Sequence, residues 1–160
     1  MNSKYILPNK NLTLTIADEL LHKMYLSVKV HYPNEFGGLL IGFYNDDNKN
    51  LVISDILLPN VFKSTPVFFE RQTDDLQKNL QDFYNSTPAK FYVGEWHSHP
   101  NGGTMPSSRD IKAMIKIQND TNVAVEKPVL SILSYNNKTE NYKIQFHLII
   151  NNKIYTYEKN

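Results

Sequence analysis

The chain has 160 residues, with 17 Lys and Arg against 16 Asp and Glu, and it contains no cysteine. This length fits one domain, expected to span residues 1–160, and is enough to bury roughly two-thirds of the unfolded surface. The balanced charge gives no footprint for nucleic acid or an anionic membrane, and the lack of cysteine excludes disulfides, thiol nucleophiles and cysteine zinc ligands.

The first half of the chain predicts strands alternating with helices. Residues 12–16 alternate as a strand, and an apolar helical spacing follows over residues 17–28. Residues 36–44 are apolar enough for a central strand, and a polar turn at its end leads into a second strand over residues 51–58. Residues 59–71 are predicted to be irregular, and their aromatic side chains either pack beneath this loop or line a groove for a protein substrate.

The second half continues the same alternation. The predicted elements are a helix capped at Thr73, a strand over residues 90–96, a helix opened by Ser107, strands over residues 129–135 and 142–150, and an edge strand over residues 153–157. His147 falls on the polar face of its strand and is predicted to be exposed. The fold class predicted is α/β, with a curved mixed β-sheet flanked by helices.

The N-terminal segment, residues 1–5, has no apolar signal core, and no stretch of the chain approaches the length of a membrane span. We therefore expect a cytoplasmic protein that does not bind membranes.

Two histidines stand together at the end of the strand predicted over residues 90–96. Because residues two apart on a strand share a face, His97 and His99 are expected to point the same way. Pro100 cannot continue a ladder, so the strand is predicted to end beside the histidines. Asn101-Gly102-Gly103 then allows the chain to turn back over them.

Ser107 and Asp110 are predicted to open a helix, with the serine at the N-cap and the aspartate in the first turn. This is also an ordinary capping box, but the two interpretations are compatible because the cap fixes the position of the carboxylate. Two imidazoles and one carboxylate make a three-ligand zinc site, whose fourth position is left for water in catalytic sites. The sequence therefore predicts one catalytic Zn2+ per chain, held by His97, His99 and Asp110.

These residues and their spacing resemble the His-x-His-x7-Ser-x2-Asp signature of the JAMM (JAB1/MPN/Mov34) metallopeptidases. Upstream, Glu35 stands in a segment similar to the Glu-x-x-Gly-x-x-x-Gly segment of that family. The resemblance covers residues 12 to about 122. It implies the cytidine-deaminase-like JAB1/MPN fold, with Glu35 as the general base and Ser107 as a donor to the developing oxyanion.

Glu95 is a rival for the base, because strand alternation puts it on the same face as His97 and His99. It lies roughly 6.6 Å along the strand from His97, at about 3.3 Å per residue, within reach of an imidazole ligand or a substrate amide. The resemblance assigns proton transfer to Glu35. Glu95 is therefore predicted to tune the zinc site or contact the substrate.

Catalytic members of this family cut isopeptide or peptide bonds at the C-terminus of ubiquitin-like proteins, whose extended tails suit strand addition. The segment Gly94-Glu95-Trp96-His97 is most similar to compact prokaryotic members. Those occur with E1-like and E2-like proteins in conjugation operons, including CBASS-type antiphage systems, so such proteins are the implied partners.

Two alternatives stay open. One is a hydrolase that releases an adduct from the C-terminal glycine of a sulfur-carrier protein. The other is a metal-free scaffold of the same fold; scaffold members usually lack one or more ligands, whereas all five matched positions are present here.

Overall fold

A large mixed β-sheet forms the centre of the structure, a computed structural model that describes residues 1–45, 47–72 and 74–160. The strands are β1 (Asn2–Leu7), β2 (Leu12–Ala17), β3 (Gly37–Tyr44), β4 (Asn50–Leu57), β5 (Phe62–Thr65), β6 (Phe68–Arg71), β7 (Phe91–Pro100), β8 (Val129–Asn136), β9 (Asn141–Ile150), β10 (Lys153–Thr156) and β11 (Glu158–Lys159). The helices are α1 (Asp18–His31), α2 (Gln77–Tyr84), preceded by a 3-10 turn (Asp74–Leu76), and α3 (Ser108–Asn119). The predicted cap Thr73 lies outside the described residues.

Nine strands of the described part of the chain form one sheet, in the order β10-β9-β8-β7-β3-β4-β2-β1-β11. β7 runs parallel to β8 and β2 runs parallel to β4, whereas the other neighbours are antiparallel. The predicted α/β class, a mixed sheet flanked by helices, is confirmed. None of the helices in the described ranges is long and apolar enough to cross a membrane.

Helices cover both faces of this sheet. Met24 of α1 is fully buried in a cluster that includes Leu40 of β3. Leu39, the residue before Leu40, packs instead with Leu76 beside α2. Successive residues of β3 thus face opposite sides, which explains why this strand reads as a continuous apolar run. Met114 of α3 packs farther along, on strands β8 and β9. Each such side chain contributes about 1.5–3 kcal/mol through burial.

The segment predicted to be irregular, residues 59–71, instead forms a hairpin of β5 and β6, which pair with each other in a separate sheet. Its strands are short and partly polar, so their periodicity gave a weak signal. A lone two-stranded hairpin is marginal in water. Here Phe62 and Phe69 pack on Phe36, with ring centroids 5.2 and 5.8 Å away, and anchor the hairpin beside the sheet.

β7 ends beside the histidines, but the expectation that Pro100 cannot continue the ladder is wrong, because Pro100 is the last residue of β7 and pairs with Tyr135 of β8. Ser98 donates its N–H toward the β3 side, to Phe36 O (2.8 Å), so the nitrogen of Pro100 points the same way, beyond the start of β3. Asn101 donates toward the β8 side, to Tyr135 O (2.8 Å). The missing N–H of the proline therefore removes no ladder bond.

The predicted exposure of His147 is also wrong, because its side chain is fully buried. Its Nε2 donates to the carbonyl of Thr104 (2.9 Å), and its Nδ1 accepts from the hydroxyl of Thr156 (2.9 Å) in the neutral ring. The loop before α3 covers this face of β9, so a position that looks polar by alternation lies inside.

Candidate metal centre

His97 and His99 of β7 converge with Asp110 of α3 on one point. The two Nε2 atoms are 3.3 Å apart; that of His97 lies 3.3 Å from Oδ1 of Asp110, and that of His99 lies 3.4 Å from Oδ2. Around a tetrahedral zinc with bonds of about 2.0–2.1 Å, neighbouring donor atoms are separated by about 3.3–3.4 Å. The two nitrogens therefore have the separation of neighbouring ligands on a tetrahedral zinc, and an oxygen of Asp110 lies at a similar distance from each. Within the described part of the chain, these three side chains form a group that could hold a metal ion.

A glycine on β3 lets the ligand strand come this close. Gly37 pairs with His97, and a Cβ built on it would lie 2.1 Å from the carbonyl oxygen of Trp96 and 2.7 Å from the Cβ of His97. No other residue leaves that space. Between the two ligands, Ser98 is fully buried and its Oγ accepts from the N–H of Phe36 (3.0 Å). The backbone that carries both imidazoles is thereby fixed.

Hydrogen bonds orient two of the three ligands. His99 donates from Nδ1 to the carbonyl of Gly103 (3.1 Å), which leaves the lone pair of Nε2 directed into the site. Asp110 is held by a complete capping box: its Oδ2 accepts from Ser107 N (2.7 Å), and its own N–H donates to Ser107 Oγ (3.2 Å). The serine oxygen accepts this bond, so its hydroxyl hydrogen stays free to donate elsewhere.

The pKa values of Asp110 and His99 are shifted by their surroundings. Burial raises the pKa of Asp110, but hydrogen bonds from His97 and His99 outweigh it and hold this pKa well below its usual range. Burial lowers the pKa of His99, while the hydrogen bond to Asp110 raises it and sets the net direction upward. An ionised carboxylate thus faces the imidazole of His99, and a metal cation binding here would compete with a proton on that ring.

Glu35 lies two residues before β3, after the turn that follows α1, and reaches the same pocket. Its backbone N–H donates to Thr65 O (2.9 Å), and its carbonyl accepts from Ser64 Oγ. The side chain is half-buried and lines a cavity of about 520 Å³ together with the three ligands and Ser107. Burial raises the pKa of Glu35, and the nearby His97 partly offsets this rise.

The structure places the carboxylate of Glu95 against two residues that the sequence did not single out. Glu95 Oε1 accepts from the guanidinium of Arg71 and from the hydroxyl of Tyr92 (3.0 Å). Arg71 ends β6, in the segment predicted to be irregular, so no pattern in the sequence indicated this contact. Glu95 still lies on the same side of β7 as His97, and both line a groove of about 460 Å³.

This groove runs between β6 and α3 and leads to the triad. Its walls carry charges of both signs; the ionisable residues lining it are Glu70, Arg71, Glu95, His97, Arg109, Asp110, Lys116 and Asp120. Phe68 of β6 gives one wall an apolar and aromatic surface, and the guanidinium of Arg109 lies 5.1 Å from the centre of its ring.

The mixed sheet and the group of His97, His99 and Asp110 are compatible with a domain of the JAB type. The family of prokaryotic homologs of the JAB domain matches residues 17–153, and the chain belongs to this family. The resemblance noted in the sequence is thereby confirmed.

Two relatives are each described as a "CD-NTase/cGAS isopeptidase". The one from Enterobacter hormaechei subsp. hoffmannii is 29% identical over 122 residues, which is 76% of this chain and 67% of that protein. The one from Escherichia coli is 31% identical over 120 residues, 72% of this chain and 74% of that protein. These relatives and the family support a hydrolase.

A solved structure is similar over most of the chain. The solution structure of a Desulfitobacterium hafniense protein has a TM-score of 0.63 and 20% sequence identity, and the match covers 92% of this chain and 89% of that one. This likeness shows the fold alone.

Proposed function

We propose that the chain is a zinc-dependent isopeptidase that cleaves at the C-terminus of a ubiquitin-like or otherwise conjugated protein. The observation that carries the proposal is the convergence of His97, His99 and Asp110 on one point, with Glu35 in the same cavity. The descriptions of the two relatives support the type of bond.

His97, His99 and Asp110 would hold the metal. A zinc ion bound there supplies Lewis-acid chemistry, polarising a carbonyl and lowering the pKa of water to about 7. Glu35 takes the proton of the attacking water and returns it to the leaving amine, a role that suits a carboxylate whose pKa is raised by burial. Ser107 donates its free hydroxyl hydrogen to the developing oxyanion.

The groove between β6 and α3 suits an extended polypeptide tail. β6 is paired with β5 and also borders this groove, so a tail lying along it could bond to the strand backbone. The mixed charges favour recognition by shape over recognition by net charge. We propose E1-like and E2-like proteins as operon partners, and a CD-NTase, as in the descriptions of the relatives, as the protein from which the tail is released.

The test uses a conjugate made in cells by co-expressed E1-like and E2-like proteins. Zinc-loaded protein should release two proteins, and mass spectrometry should place the new end at the C-terminus of the modifier. A chelator should stop the reaction and added zinc should restore it. Release of a small amine from a sulfur carrier, with the protein conjugate left intact, would contradict the isopeptidase and support the adduct hydrolase.

A further inference from the structure

The β5–β6 hairpin holds the backbone of Glu35 at both of its polar groups. The N–H of Glu35 donates to Thr65 O (2.9 Å), and its carbonyl accepts from Ser64 Oγ. Both partners belong to β5. The position of the carboxylate that faces the metal ligands therefore depends on where the hairpin lies.

The hairpin is not a strand pair of the main sheet, so side chains must hold it in place. Phe62 and Phe69 pack around Phe36, and the guanidinium of Arg109 lies over the ring of Phe68. The last residue of β6, Arg71, also forms an ion pair with Glu95 of β7. The contacts with aromatic rings are undirected, whereas the ion pair joins one defined atom pair between β6 and β7.

The ion pair is well shielded from solvent. The side chains of Arg71 and Glu95 are 14% and 22% exposed, and the hydroxyl of Tyr92 donates to the same carboxylate oxygen (3.0 Å). Removing one partner of a shielded pair leaves the other charge uncompensated, which weakens the local structure more than loss of a surface pair does. The pair therefore favours one position of β6 over β7.

We propose that Arg71 and Glu95 are positioning residues: their ion pair fixes the hairpin, and the hairpin holds Glu35 toward His97, His99 and Asp110. This inference rests on the proposed function of Glu35 as the base. It gives Glu95 an indirect role in turnover, transmitted through β6 and β5 rather than through a metal ligand.

The test compares Glu95→Gln and Arg71→Met with Lys63→Met, a control that removes an exposed charge from the same hairpin. We expect the first two variants to keep wild-type zinc affinity and to lose about 10- to 100-fold in kcat, with KM changed less than about threefold, because the base is misplaced while the ligands are not. The double variant should lose no more than the worse single variant. Lys63→Met should match the wild type.

Hydrogen exchange supplies a readout that needs no substrate. The amide of Glu35 and those of residues 62–71 should exchange about tenfold faster or more in Glu95→Gln and Arg71→Met, while the amides of β8 should be unchanged. Arg71→Lys, which keeps the charge, should recover part of both the protection and kcat.

Three results would overturn the proposal. A raised KM with intact kcat would show that the pair contacts substrate instead, and a loss of zinc would place Glu95 with the ligands. Unchanged hydrogen exchange at the amide of Glu35 would show that the ion pair does not act on Glu35 through the hairpin. If the wild type cleaved no conjugate while the exchange pattern held, the positioning would stand and the proposed reaction would fail.

Discussion

Replacing Gly37 by alanine should damage the metal site from outside it. The new Cβ would lie 2.1 Å from the carbonyl oxygen of Trp96, below the 3.0 Å that Cβ contacts essentially never cross, so β3 and β7 must separate by at least about 0.9 Å. The distances between a metal and its ligands tolerate a change of only about 0.2 Å. The same Cβ would also lie 2.7 Å from the Cβ of His97, so the imidazole of His97 should shift away from its position in the metal site.

We expect zinc affinity to fall at least about 10- to 100-fold in Gly37→Ala, as when the supports of a ligand are lost. The strain should also lower the free energy of unfolding of the metal-free protein by about 1–3 kcal/mol, or about 2–4 °C in Tm per kcal/mol. Competition with a chromophoric chelator measures the affinity, and thermal melts in excess chelator measure the stability.

Two neighbouring glycines provide graded controls. A Cβ at Gly102 would lie 3.2 Å from the Cβ of His99, which a small adjustment relieves, and a Cβ at Gly103 would meet nothing within 4 Å. Gly103→Ala should therefore bind zinc as tightly as the wild type. Gly102→Ala should bind it less tightly, and Gly37→Ala far less tightly than either. Wild-type affinity and Tm in Gly37→Ala would refute the claim that this close approach sets the ligand geometry.

Further outcomes follow from the site and its surroundings. Zinc titration should give one site per chain, Asp110→Asn should weaken it, and Glu35→Gln should keep zinc but lose hydrolysis; equal loss of metal in both would make Glu35 a ligand. Ser107→Ala should lower kcat about 10²- to 10³-fold and cost about 1 kcal/mol as a lost cap; a kcat within a few-fold of wild type would remove its oxyanion role. Burial lowers the pKa of His147, so in acid the unfolded chain binds a proton there that the folded chain excludes. Relative to His147→Gln, the wild type should lose up to about 1.4 kcal/mol of unfolding free energy per pH unit as the pH falls below about 6.5. Denaturant melts at pH 7.5 and 5.5 measure this; the same change in unfolding free energy for both proteins would count against the prediction.

The parts of the site that depend on short spacing could be predicted from the sequence. His97 and His99 lie two apart on a strand, and Ser107 and Asp110 lie three apart across a helix start, so local geometry fixes each pair. Glu35 lies 62 residues before His97, and no local rule joins them; its assignment came from the resemblance. The central strands were also predictable, because burial on both faces leaves continuous apolar runs.

The predictions that failed depend on what lies beside a segment in space. Pro100 can extend β7 because β3 begins opposite His97 and leaves no strand beside the proline nitrogen, and His147 is buried because the loop before α3 crosses its strand. The pairing of Arg71 with Glu95 joins two segments whose own patterns give no reason to meet. Such contacts follow from the packed arrangement of the elements, which the periodicity of one segment does not contain.

The carboxylate of Asp110 caps α3 and is also the ligand proposed for the metal, and this has a consequence for relatives that have lost catalysis. A descendant that no longer binds metal would still gain about 1 kcal/mol from the Ser107–Asp110 cap, so selection for folding alone would preserve the pair. Within the described residues, the polar contacts of the His97 side chain are those to His99 and Asp110, so it has no comparable role in capping a helix. Among similar chains, replacement of that histidine should therefore mark inactive members sooner than any change in the serine and aspartate.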